Sequence, residues 1–221
     1  MAAGLMLGAA LAPAAPLSFA PAPVAGSSSC PVEAWGCETT GTPAFGNGWQ
    51  VVSGNVDFVN NAWWTFLNKG EVAIDLSGSM LGSIANTVTG LTVGKQYTLT
   101  FLWSYNPDDS VNLTRQANIS VTNAGGFSFE LGPSANATNG EFGSANNGPI
   151  WNTFSQTFTA TATSATIKFT SEANRYQGIV LRDSVSLQEN ANLEAAVPEP
   201  ATIGIMGIGL LCFGLKRFRR S

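Results

Sequence analysis

Gln96-Tyr97-Thr98-Leu99-Thr100-Phe101-Leu102-Trp103 is the stretch that decides the fold. Tyr97, Leu99, Phe101 and Trp103 occupy every second position, the period of a strand with one buried face. Upstream the same period recurs. Val72, Ile74 and Leu76 alternate in Glu71–Leu76, and Val56 and Phe58 alternate against Asp57 in Asn55–Val59. Trp49–Val52 and Ile84–Val88 are shorter runs of the same kind. Downstream, Arg115–Thr122 sets Ala117, Ile119 and Val121 together, and Phe127–Leu131 pairs Phe127 with Phe129. Phe154–Phe158, Ala165–Phe169 and Ile179–Leu187 complete the set, with Gly, Asn, Asp and Ser between the runs. Outside the C-terminal tail no segment keeps a helical apolar period. About ten short strands predict an all-β domain of mostly antiparallel strands. The long Gly132–Gly148 connection suits a crossover between sheets, so a jelly-roll β-sandwich is expected, with a closed barrel as the alternative.

Composition narrows the function. Charged residues are 11% of the 221, and Gly, Ser, Thr and Asn are abundant, as in turn-rich β proteins. Four of the 10 basic residues lie in the last six positions. The remainder sets six basic against all 14 acidic residues, a net charge of −8. That balance argues against nucleic acid as a partner. Histidine is absent, which removes Ser-His and Cys-His nucleophile pairs and the usual zinc sites. Carboxylates alone can still cleave glycosidic bonds. Cys30 and Cys37 lie close enough in sequence to close a small disulfide loop in an exported chain; the third cysteine, Cys212, is in the tail.

The two ends read as addresses. Residues 1–26 are rich in Ala, Pro and Leu, with Leu5–Leu11 as a short apolar core and Ala22-Pro23-Val24-Ala25 before a cleavage point; they are expected to be a secretory signal. The β-domain is then expected over 27–190, with Ser27–Thr42 as a loop. A linker follows over 191–200, ending in Pro198-Glu199-Pro200, and a tail over 201–221. Ala201–Leu215 carries no charge but spans only about 22 Å as a helix, short of the roughly 30 Å hydrocarbon core. Lys216, Arg217, Arg219 and Arg220 close it, which favours a cytoplasmic C-terminus. A single hydrophobic membrane helix is expected here. Pro-Glu-Pro, apolar run and basic cluster in that order resemble the PEP-CTERM sorting signal of bacterial exported proteins. The resemblance implies an exosortase-type sorting peptidase as partner, membrane insertion before processing, and a place in the cell envelope, at the surface or in the extracellular matrix.

A second likeness covers most of the domain, from about Gly48 to Leu187. Gly48-Trp49-Gln50-Val51, Gly54-Asn55-Val56-Asp57-Phe58-Val59, Trp63-Trp64, Ala73-Ile74-Asp75-Leu76-Ser77-Gly78 and Gly90-Leu91-Thr92-Val93-Gly94-Lys95, then Asn106-Pro107-Asp108, resemble the choice-of-anchor C family. That family is similar to galactose-binding-like jelly rolls, including a plant cell-wall family linked to polysaccharide. The opening Asn-Gly-Ser-Phe-Glu of the family is not recognisable near Phe45, and its closing Leu-Asp-Asn-Val stands here as Leu181-Arg182-Asp183-Ser184-Val185.

Sugar rings have apolar faces, so carbohydrate modules set aromatics beside amides and carboxylates. Asn60-Asn61-Ala62-Trp63-Trp64 has that chemistry on an expected loop, and adjacent residues point opposite ways, so at most one tryptophan belongs to the core. Tyr105 and Arg115 form a second candidate at a strand end, with Trp103 assigned to the core. Trp151 and Tyr176 rank below these. Asp57 and Asp75 alternate with apolar neighbours and are expected on outward, solvated strand faces. If the strands are neighbours, the pair could hold Ca²⁺ or a sugar hydroxyl, or act as acid and base. No other cofactor is implied. Three functions follow: a non-catalytic module binding extracellular polysaccharide, a structural surface protein without a small ligand, and a carboxylate-dependent glycan hydrolase.

Overall fold

The computed structural model describes residues 15–19, 35–39, 44–107, 115–132, 143–144, 148–173 and 178–191. The C-terminal tail, its sorting residues, its expected membrane helix and Cys30 lie outside them. Among the described residues no helix is long and apolar enough to cross a membrane.

The domain is an all-β jelly-roll sandwich of two antiparallel sheets. Across the larger one run β2 (Trp35–Thr39), β4 (Asn55–Asn60), β5 (Val72–Asp75), β14 (Ile179–Arg182), β7 (Gln96–Tyr105) and β12 (Asn152–Thr159). β15 (Ser186–Glu189) pairs with β7 on the same side as β14, and β1 (Ala15–Pro16) adds to β15. The smaller sheet orders β3 (Gln50–Ser53), β6 (Ser83–Thr89), β13 (Ser164–Ala173), β8 (Gln116–Val121) and β9 (Ser128–Leu131). Two short strands, β10 (Gly143–Ser144) and β11 (Gly148–Pro149), pair with each other on the way from β9 to β12. The connection after Leu131 does cross between sheets, as its length suggested.

Alternation explains the core. Tyr97, Leu99 and Phe101 of β7 face the smaller sheet, where Phe101 meets Phe169 of β13 edge-on at 5.0 Å between ring centroids. Phe101 also stacks on Phe154 of β12 at 4.6 Å, and Phe169 lies 5.7 Å from Trp49. Burying such rings removes the largest apolar areas available to the chain and holds the sheets together. Between β3 and β4 the chain turns at Gly54, with φ +59°; a Cβ there would come within 1.9 Å of the Leu81 carbonyl oxygen. Only glycine fits that approach.

Three expectations need correction. First, the described sandwich takes in residues before 27. Leu17 and Phe19 are core residues, Phe19 with 0% exposure and edge-on to Trp49 at 5.3 Å. Trp49 Nε1 donates to the Leu17 carbonyl at 3.0 Å, the Leu17 N–H donates to Val185, and Phe19 N–H and Ser18 Oγ donate to the Asp183 carboxylate. Cleavage after Ala25 would take these residues out of the sandwich. Second, the expected loop 27–42 contains β2, an edge strand whose backbone pairs residue by residue with β4 from Trp35↔Val59 to Thr39↔Asn55. Third, Ile179–Leu187 is not one strand. It breaks at Asp183–Val185, where Asp183 anchors Phe19 and Ser184 Oγ accepts from the Leu102 N–H.

Candidate functional site

The outward face of the larger sheet is where the sequence-derived candidates meet. Asp57 on β4 stands directly across from Asp75 on β5, and Asp75 from Val180 on β14. The next row holds Val59, Ala73 and Arg182. Trp64 and Leu67, in the segment after β4, fold back over Val59, Ala73 and Val180. Asn60 starts the reversal: its carbonyl accepts from the N–H groups of Trp63 and Trp64, and its Oδ1 accepts from Ala62 N–H at 2.8 Å. That turn drives Trp64 inward and leaves Trp63 out. Trp64 is 1% exposed and packs with Leu67 on Val59, Ala73 and Val180, a second small core; Trp63 is 49% exposed. Small Ala73 and Val180 give the Trp64 indole room to approach the sheet. Asn61, between the turn and Trp63, is exposed.

Phe66 and Trp151 flank this cluster, Phe66 stacked on Trp64 at 5.6 Å. The Arg182 guanidinium sits 5.4 Å over the Trp151 ring and ion-pairs with Glu71. Glu71 Oε2 also accepts from Asn68 N–H and Nδ2, which ties the loop to the start of β5. Burial works against the Glu71 charge, but the bonds from Arg182 and Asn68 outweigh it and hold the carboxyl below its ordinary value. Trp151, Arg182 and Glu71 are therefore part of this surface. Trp151 is a lone aromatic at a strand start, and no spacing in the sequence ties it to Arg182 or Glu71.

The carboxyl pair is not a solvated face. Asp75 is 1% exposed. Its Oδ1 accepts from Ser77 N–H at 2.8 Å and Gly178 N–H at 3.1 Å, and its Oδ2 from Asn106 Nδ2. Burial pushes Asp75 up to about 8, against these donors and with a contribution from Asp57. Burial likewise pushes Asp57 up to about 7, and its Oδ1 is buried with no hydrogen-bond partner among the described residues. Two neighbouring carboxyls of this kind share protons at neutral pH. The Asp75 oxygens already face N–H hydrogens, which a cation would meet head-on. Calcium takes six to eight oxygen ligands, and among the described residues no three acidic or metal-ligating side chains gather. The contacts that Asp75 makes among the described residues are with N–H donors. The pair is an internal clasp: Asp75 binds the end of its own strand, the end of β7 and the approach to β14.

Tyr105 and Arg115 come together, but inside. Tyr105 is buried edge-on to Trp103 at 5.6 Å, and Arg115 is 1% exposed. Both press on Gly132, where a Cβ would lie 2.8 Å from the Arg115 carbonyl oxygen and from Tyr105 Cε1. Trp103, expected in the core, is only partly buried against it. Cys37 lies on β2 opposite Asp57; its expected disulfide with Cys30 falls outside the described residues, as does Tyr176.

Residues 196–220 match the PEP-CTERM protein-sorting motif. Halomucin of Haloquadratum walsbyi is 32% identical over 154 residues, 68% of this chain but 2% of halomucin; the chain spans a small fragment of that relative's length. Among solved structures, a CBM4 module aligns over 71% of this chain and 86% of its own at 15% identity, TM-score 0.38. TmCBM61, solved with β-1,4-galactotriose, aligns over 79% and 92% at 12% identity, TM-score 0.41. Scores of this size transfer neither ligand nor binding residues. The finer likeness to the choice-of-anchor C family rests on the quoted motifs alone. The domain itself matches, over residues 30–179, the family described as protein of unknown function DUF642, and the chain belongs to that family.

Proposed function

We propose that this chain is an exported, exosortase-processed surface or matrix protein whose sandwich binds extracellular polysaccharide without cleaving it. The sorting motif supports the export half of the reading. The observation that carries the binding half is Trp63. A half-exposed indole, next to exposed Asn61, is held out by a loop whose other side is cemented into the fold through Trp64 and Leu67. Such a ring is a rigid apolar platform for a sugar face, with an amide beside it for hydroxyls. The partly covered Trp151, with Arg182 and Glu71, extends the same surface with donors and acceptors that carry no net charge as a pair.

A hydrolase is the weaker reading because the carboxyl pair is inside. Asp75, fully buried and bonded to three N–H donors, does not reach a glycosidic oxygen. A structural surface protein without a sugar ligand is the rival that the experiment must separate. In affinity electrophoresis through gels containing neutral and acidic polysaccharides, retardation of the wild type and its loss in Trp63→Ala supports the reading. Equal mobility of both proteins in every gel refutes it. Trp63→Ala is expected to change stability by no more than about 0.5 kcal/mol, so loss of binding would not be loss of fold.

A further inference from the structure

Away from the outward face, a cleft of about 340 Å³ opens between the two sheets. The apolar part of its lining is Leu17 beyond β1, Val88 at the end of β6, Leu91, and Leu187 of β15. Ligand cavities are typically roughly 300–1,000 Å³ with a few convergent polar groups on apolar walls, and three inward-pointing side chains supply those groups here.

Asn86 shares the inward face of β6 with Ile84 and Val88, where an amide is out of place. It is 4% exposed. Its Nδ2 donates to the Asn47 carbonyl at 2.7 Å, which fixes which end of the amide is nitrogen. Its Oδ1 accepts from no described residue and is left for the cleft. Tyr97, on the inward row of β7, accepts from Thr92 N–H at 2.9 Å and donates to Glu189 Oε2 at 3.0 Å. Both capacities of the phenol are used, and the Glu189 carboxylate is pinned, with no partner for Oε1 among the described residues. Asn86 Oδ1 and Glu189 Oε1 both keep spare acceptor capacity at the cleft.

We propose that this cleft is a second ligand site, taking one hydroxylated ring of hexose or hexosamine type. Its apolar walls meet the ring's CH face, while Asn86 Oδ1 and Glu189 Oε1 accept from hydroxyl or amino groups. Every free polar atom in the argument is an acceptor and one belongs to a carboxylate, so the ligand must bring donors and a carboxylated sugar is repelled. The site is separate from Trp63 and stands or falls independently of polysaccharide binding there.

The test is titration of the full-length protein with glucose, galactose, glucosamine and glucuronate, read by backbone NMR shifts at Asn86, Tyr97 and Glu189. Saturable shifts with at least one neutral or amino sugar and none with glucuronate are expected. Glu189→Gln keeps an oxygen for Tyr97 and turns the free acceptor into a donor. It should weaken binding roughly tenfold or more, the worth of a hydrogen bond to a charged group. Asn86→Leu should abolish binding, with Glu189→Gln carrying the test if Asn86→Leu does not fold. Trp63→Ala should leave these shifts unchanged. No saturable shift with any sugar, glucuronate binding as well as glucose, or an unaffected Glu189→Gln variant would each overturn the proposal.

Discussion

Asp57→Asn asks whether the buried carboxyl pair governs how the fold responds to pH. In the folded chain burial carries Asp57 from 3.8 to about 7 and Asp75 from 3.8 to about 8. Each holds its proton more tightly folded than unfolded. Between about pH 4 and pH 8 the native state therefore binds more protons, and stability must fall as pH rises through that window and level off above it. For Asp57 alone, the interval from about pH 5 to its folded value near 7 is two units, or about 2.7 kcal/mol at 1.36 kcal/mol per unit. Allowing for solvent reaching part of Asp57, its share of the loss is about 2 kcal/mol, and Asp75 adds to it in the wild type. No histidine exists to titrate in the same range. Glu71 acts in the opposite sense and lower down, since its depressed carboxyl supports the fold above its ordinary value and is lost only in acid.

Asn at position 57 keeps the shape, cannot ionise, and sets an amide across from Asp75, where it can donate to the carboxylate and let it ionise at less cost. Urea unfolding followed by tryptophan fluorescence at about pH 5, 6.5 and 8 measures the outcome. The wild type should lose at least about 2 kcal/mol across the series, while Asp57→Asn should lose about 2 kcal/mol less and be the more stable protein at the alkaline end. A flat wild-type profile, or equal slopes in the two proteins, refutes the account of the pair.

Trp64→Ala should cost about 3–5 kcal/mol, the range for removing a buried large aromatic, because the indole packs on Val59, Ala73 and Val180; thermal unfolding beside Trp63→Ala makes the contrast between the adjacent tryptophans. Phe19→Ala should cost a similar amount for the loss of its contact with Trp49. In the native host, intact mass of the processed protein should place its N-terminus at or before Ala15; a terminus near Gly26 would show that the sandwich forms without the first strand.

Period-two reading recovered most of the strands because inward and outward residues alternate wherever one face is buried. Tyr105 shows the same rule left unused: it stands two residues from Trp103, so it had to share that inward face. β2 was not legible, since Trp35-Gly36-Cys37-Glu38-Thr39 alternates over only two apolar residues and pairs with β4 through its backbone. Leu17 and Phe19 were hidden by a leader-like composition. Their role depends on Asp183 and Trp49, distant in sequence.

Asp75 marks the deeper gap between pattern and structure. Its outward position on β5 follows from Ile74 and Leu76, yet outward is solvated only if nothing lies on that face. Here Trp64 and Leu67 lie on Ala73, and Ser77, Asn106 and Gly178 close around Asp75, so every residue of β5 is buried. A local period cannot report a covering loop. The sign that could have done so was Trp64 itself: a second large indole beside Trp63 has to bury its area somewhere, and the face above Val59, Ala73 and Val180 is where that area goes. The same packing separates the two possible roles of the motif. Trp64 makes the loop stiff, and a stiff loop is what allows Trp63 to present its ring to a ligand without the ordering cost that a mobile aromatic would carry into binding.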